Sequence, residues 1–86
     1  MNATAFLYNT DAEQTFLGAL LLNPDLLKDC RTKPLHLSQV KHKNLLSAML
    51  ELDTKGIPID LVSITEYIGR DNLGSIGGHQ YLAALA

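Results

Sequence analysis

Apolar residues recur at spacings of three and four through most of the chain, and no stretch reads as a convincing strand. Ala12, Phe16, Leu17, Leu20 and Leu21 gather on one face of a predicted helix over residues 10–22. Its start has the form of a capping box: the Thr10 hydroxyl can accept from the Glu13 amide while Glu13 reaches back. Asn23-Pro24 ends it, because proline disfavours helical backbone in the residue before it, and Pro24 then opens a short second helix over residues 25–30. Residues 31–37 lack a period and contain Pro34, so they read as a loop that tucks Leu35 and Leu37 inward.

Ser38 is the expected cap of a third, central helix carrying His42, Leu45, Leu46, Met49, Leu50 and Leu52, closed at Thr54-Lys55-Gly56. Asp60 caps a fourth helix that buries Leu61, Ile64 and Ile68 and ends near Gly69. A glycine-rich loop over residues 71–78 leads into a fifth, with Tyr81, Leu82 and Leu85 facing inward. The expected architecture is all-α, a compact orthogonal bundle of about five short helices. A tail over residues 1–8 precedes one globular unit over residues 9–86.

Composition narrows this further. Eighty-six residues allow a single domain, and 47% hydrophobic content is too high for a disordered chain. Seventeen leucines and no tryptophan imply an aliphatic core. The net charge of -2 argues against direct nucleic-acid binding, which draws on a strong positive balance. The charge is uneven, however. No acid occurs between Asp29 and Glu51, while Arg31, Lys33, Lys41 and Lys43 are basic, giving either a solvated face or a patch that steers an acidic partner. The longest apolar run, residues 81–86, is far short of the ~20 residues of a membrane span. A single cysteine, Cys30, and a start without the basic residues of a signal peptide point to the cytoplasm.

Catalytic chemistry is not nominated by these residues. There is no G-x-x-x-x-G-K-[ST] loop to hold a nucleotide, so no cofactor is expected in this chain. Gly74 to Gly78 precedes a helix, but as a sharp turn it needs no anion to explain it. His36, His42, His79 and Cys30 are scattered and match no zinc spacing. His42 shares a face with Leu45, Leu46 and Met49, which predicts a partly buried ring bonded to a loop carbonyl, with no carboxylate or nucleophile evident beside it.

The order of short motifs does carry a resemblance. Asn9-Thr10-Asp11-Ala12-Glu13-Gln14, then Leu17-Gly18-Ala19-Leu20-Leu21 and Asn23-Pro24, resembles the opening of the N-terminal domain of DnaB-family replicative DNA helicases. His42 with Leu45-Leu46-Ser47-Ala48-Met49 is similar to that family's third helix. Gly56-Ile57-Pro58-Ile59-Asp60-Leu61-Val62 resembles its Gly-x-Pro-x-Asp turn, and Ile76-Gly77-Gly78 with Tyr81-Leu82 its closing signature. Two features depart from the pattern: Leu35-His36-Leu37 stands where an aromatic is usual, and Lys43 follows His42.

Read bottom-up, Glu13, Gly18, His42, Gly56, Asp60, Gly77 and Gly78 are architectural: caps, close packing and corners. The resemblance implies a non-catalytic assembly and docking head. It would contribute to a hexameric collar and meet other helicase subunits, primase and a helicase loader. ATP and Mg would belong to an ATPase domain of the parent helicase, which this chain lacks together with the helical hairpin that follows the head. Without that hairpin a monomer or weak dimer is expected. The same head fold in the helicase-binding end of a primase, or in a free-standing helicase regulator, is the competing reading. Gln14, Lys41 and Lys43, on the solvent side of the first and third helices, are the candidate interface residues.

Overall fold

A computed structural model describes residues 9–86, and the expected tail over residues 1–8 lies outside them. Among the described residues there are four α-helices: α1 (Thr10–Leu22), α2 (Val40–Thr54), α3 (Leu61–Ile68) and α4 (His79–Leu85). Three 3-10 segments, Pro24–Asp29, Pro34–His36 and Arg70–Ile76, join them, and no strand occurs among the described residues. The fold is all-α, as the apolar spacing predicts. The expected second helix is the first 3-10 segment, with Pro24 at its start. Both stretches expected as loops contain 3-10 turns instead. In the last of them the Ser75 hydroxyl donates to the Asn72 carbonyl and the Asn72 amide to that of Ile68, local bonds that supply the order.

Two predicted caps differ. Asn9, not Thr10, caps α1: its side-chain oxygen accepts from the Ala12 amide at 2.9 Å. Thr10 lies inside the helix, where its hydroxyl accepts from the Gln39 amide group at 2.7 Å. Ser38 does not cap α2, whose N-cap is Gln39 with no side-chain bond. Asp60 caps α3 as expected, accepting from the Ser63 amide at 2.7 Å while the Ser63 hydroxyl bonds back to the Asp60 amide.

The helix stops follow from glycine. The Gly56 amide donates to Asp53 and the Ile57 amide to Leu52, closing α2 with Gly56 at φ 72° in the left-handed region. Gly77 and Gly78, at φ 95° and 87°, make the corner into α4. Gly18 acts by size: a Cβ there would be driven into the Leu85 carbonyl oxygen, so the bare backbone is what lets α1 and α4 meet.

The core is aliphatic: Leu17 and Leu20 of α1, Leu45, Leu46, Met49 and Leu52 of α2, Ile64, Ile76 and Leu82. α2 is central, packing on α1, α3 and the two later 3-10 segments. Leu37 is buried, as expected, whereas Leu35 is 69% exposed. The Pro34–His36 turn rotates Leu35 outward and leaves only Leu37 to enter the core.

Candidate functional site

Among the described residues two polar side chains are completely buried in this apolar interior, and they meet. Glu13 projects from the first turn of α1 and His42 from the first turn of α2. The His42 Nδ1 lies 2.8 Å from Glu13 Oε1, and its Nε2 lies 2.6 Å from the Tyr81 hydroxyl on α4. The second carboxylate oxygen accepts both the amide and the hydroxyl of Ser38, at 3.0 and 2.6 Å. At the outer end the Gln14 amide group donates to the Tyr81 hydroxyl at 3.1 Å. Five residues from three helices and one turn thus form a continuous relay, from Gln14 through Tyr81 and His42 to Glu13 and Ser38.

The hydrogens can be assigned from the donor inventory. Gln14 donates to the phenol oxygen, so the phenol hydrogen goes to His42 Nε2. His42 Nδ1 then carries its own hydrogen and donates it to Glu13. Every acceptor on the ionised carboxylate side is filled, and among the described residues no buried side-chain nitrogen or oxygen lacks a partner. Burial by itself raises the Glu13 pKa, but the hydrogen bonds from Ser38 and His42 outweigh it and hold the carboxyl below its usual range.

A carboxylate, an imidazole and a hydroxyl in line have the components of a general-base triad. Here each is spent on the next, and the terminal hydroxyl already accepts from Gln14. The arrangement's direct effect is to tie α1, α2 and α4 together at one point.

The candidate interface residues separate. Gln14 is half-buried on Tyr81, and Lys41 places its ammonium 3.9 Å over the Tyr81 ring, so both cover the relay from outside. Lys43 is half-exposed and stands apart from it. A cleft of about 330 Å³ beside the relay is lined by Gln14, Thr15, Tyr81, Ala84 and Leu85. A second, of about 390 Å³, lies where α2, α3 and the last 3-10 segment meet, with Asn44, Glu51, Tyr67 and Asn72 on its walls. Among the described residues no group of three or more His, Cys, Asp or Glu side chains is placed to hold a metal, and no helix is long and apolar enough to cross a membrane.

Sequence reasoning placed Glu13 in a capping box and His42 against a loop carbonyl, and both assignments are corrected by the relay. Its bonded partners are separated by 25 to 67 positions, so no local motif joins them. One signal was available. Glu13 stands three, four and seven residues before Phe16, Leu17 and Leu20, in register with the apolar stripe of α1, as His42 does before Leu45, Leu46 and Met49. A titratable group on each of two buried faces implies a partner, and each is the other's. Gly18, Gly56, Asp60 and Gly78 lie away from the relay, at the packing contact, stops and corners already described, whereas Gly77 abuts the Tyr81 side chain, which a Cβ there would meet at 2.6 Å.

Comparison with known proteins gives a consistent result. The family model described as the DnaB-like helicase N-terminal domain matches residues 5–86. The chain is 37% identical over 81 residues to the replicative DNA helicase DnaC of Bacillus subtilis (strain 168) and 37% over 79 residues to the replicative DNA helicase DnaB of Geobacillus stearothermophilus. These matches cover 91% and 88% of this chain but only 18% and 17% of those helicases, so the chain spans under a fifth of their length. Among solved structures, it superposes with a TM-score of 0.83 and 42% identity on a DnaB-like replicative helicase described with its interactions with primase. That match covers 91% of this chain and 18% of the other. The N-terminal domain of DnaB helicase from Mycobacterium tuberculosis also gives a TM-score of 0.83, at 34% identity, covering 92% of this chain and 57% of that one. With the family model matching residues 5–86 and the fold superposing on these structures, the chain belongs to the DnaB-like helicase N-terminal domain family.

Proposed function

We propose that residues 9–86 are the head of a replicative DNA helicase, a non-catalytic module that joins neighbouring helicase subunits in a collar and presents a docking surface to primase and to a helicase loader. The observation that carries this reading is the superposition of 91% of the chain on part of a DnaB-like helicase described with its primase interactions, at 42% identity. The physical design supports it. The buried relay and glycine corners hold the outer surface in one arrangement, which lowers the ordering cost a partner must meet. ATP and Mg chemistry belongs in this reading to a separate ATPase domain of the parent, and the head makes no direct nucleic-acid contact. The compartment is the cytoplasm, where replication partners are found.

The test is capture of primase and loader by the full-length parent, repeated with residues 9–86 deleted. Loss of primase capture on deletion, with the ATPase activity of the parent retained, is the expected outcome. Undiminished capture of primase by the deleted protein would overturn the proposal.

A further inference from the structure

The outer half of the relay can run in either direction, and the inner half cannot. The Glu13 carboxylate is held by the Ser38 amide, the Ser38 hydroxyl and His42 Nδ1, and when ionised it only accepts. His42 Nε2 is different: on the neutral ring it accepts, and on the imidazolium it donates. Its partner is the Tyr81 hydroxyl at 2.6 Å, a group that can do either. The next residue outward, Gln14, carries an acceptor and a donor on one amide. A Lys at that position could only donate, and an ionised Glu could only accept. Two groups able to reverse thus stand in series between a buried titratable ring and the surface.

With the ring neutral, Gln14 donates to the phenol oxygen and the phenol donates to Nε2, which leaves the Gln14 amide oxygen for the cleft that Thr15, Ala84 and Leu85 also line. One proton taken from solvent reverses this. The ring then donates from both nitrogens, to Glu13 and to the phenol oxygen. The phenol hydrogen swings outward, and the Gln14 amide turns over about its Cγ–Cδ bond to accept it through Oε1, so that its NH2 group faces the cleft. Every buried group keeps a partner, and the interior exchanges a lone carboxylate charge for an ion pair. From this geometry we infer that the relay is a proton-driven switch: protonation of His42 reverses the bond between Tyr81 and Gln14 and replaces an acceptor with donors on the wall of the cleft between α1 and α4. A carboxylate of a partner, which accepts, is favoured there together with the proton, and the coupling runs equally in both directions.

The charged surroundings set the balance. Glu13 of α1 favours the imidazolium, while Lys41 of α2, its ammonium 3.9 Å over the Tyr81 ring, opposes a second cation. The other titratable groups of the elements around α2 point elsewhere. Asp11 of α1, His79 of α4, and Arg70 and Asp71 of the last 3-10 segment are exposed, the His36 ring accepts the Lys33 amide, Lys43 is half-exposed, and Tyr67 of α3 meets Lys55 near the far end of α2, with Glu66 exposed beside it.

The test is a pH titration of the isotopically labelled chain by NMR, over the range in which circular dichroism shows it folded. The His42 ring nitrogens report tautomer and protonation, and the Gln14 side-chain amide reports the outer bond. The neutral ring is expected to carry its hydrogen on Nδ1, to gain the second on Nε2, and the Gln14 amide resonances should move with the same midpoint. Substitution then separates bond direction from charge. Gln14→Glu presents only acceptors to the phenol and Gln14→Lys only donors, whereas Thr15→Glu and Thr15→Lys put the same charges on the same cleft from an exposed neighbour. The Gln14 pair should differ in His42 midpoint by about one pH unit or more, about tenfold in proton affinity, with Gln14→Glu the higher. The Thr15 pair should differ by less than about a third of that, because an exposed charge is screened. Equal differences for the two pairs would overturn the switch, as would a Gln14 amide that does not follow His42, or a His42 ring that takes up no proton while the chain is folded.

Discussion

Glu13 is the residue on which the interior depends most. Replacing it with Ala leaves the buried His42 Nδ1 without an acceptor, at a cost of about 1–3 kcal/mol, whereas the Ser38 donors return to water. Tyr81→Phe strands the other ring nitrogen at a comparable cost. The double variant should lose less than the sum of the two, since residues in one hydrogen-bond network do not add, and thermal melts followed by circular dichroism measure the difference. The acid limb of stability follows from the same carboxylate. Its folded pKa lies below the unfolded value of 4.5, so its contribution is fully present above that pH and is lost as pH falls through the folded value. Melting temperature should therefore decline on acidification below pH 4.5, and Glu13→Gln should remove that part of the decline.

The helices themselves were largely legible from local pattern, because α1, α2 and α3 each combine an apolar stripe with a stop or start in the right place. Asn23-Pro24, Gly56 and Asp60 are visible because their effect acts on the backbone beside them. The relay was not legible in the same way, since Glu13 also satisfies the spacing of a capping box and only the tertiary fold shows that its side chain turns inward. Leu35 failed for a related reason: its neighbour Leu37 has the same hydrophobicity, and the rotation of a three-residue turn decides which of them is buried. Element joints give a prediction of their own. Gly18→Ala must displace the Leu85 backbone, costing about 1–3 kcal/mol and loosening α4. Gly56→Ala meets open space and pays only for its left-handed backbone, about 1–2 kcal/mol. Hydrogen exchange distinguishes them: Gly18→Ala should accelerate exchange in α4, and Gly56→Ala should leave α4 protected.

For the whole molecule, stability scales to about 4–13 kcal/mol for a chain of this length. Leu46 is fully buried at the centre of α2, and Leu46→Ala should cost about 2–5 kcal/mol, a large share of that total, as a denaturant titration will show. Such a small margin explains why the interior is so completely paired: a single stranded charge would consume much of it. The surface is then free to carry contacts, with aliphatic groups such as Leu35, Val40 and Val62 exposed on it. The central claim, that this is a rigid head whose exterior binds replication partners, is tested most directly by titrating the isotopically labelled chain with the primase of its own organism and following the amide spectrum. Saturable shifts confined to exposed positions, with Leu17, Leu46 and Ile64 unmoved, are the predicted result. A spectrum unchanged at saturating primase would contradict it.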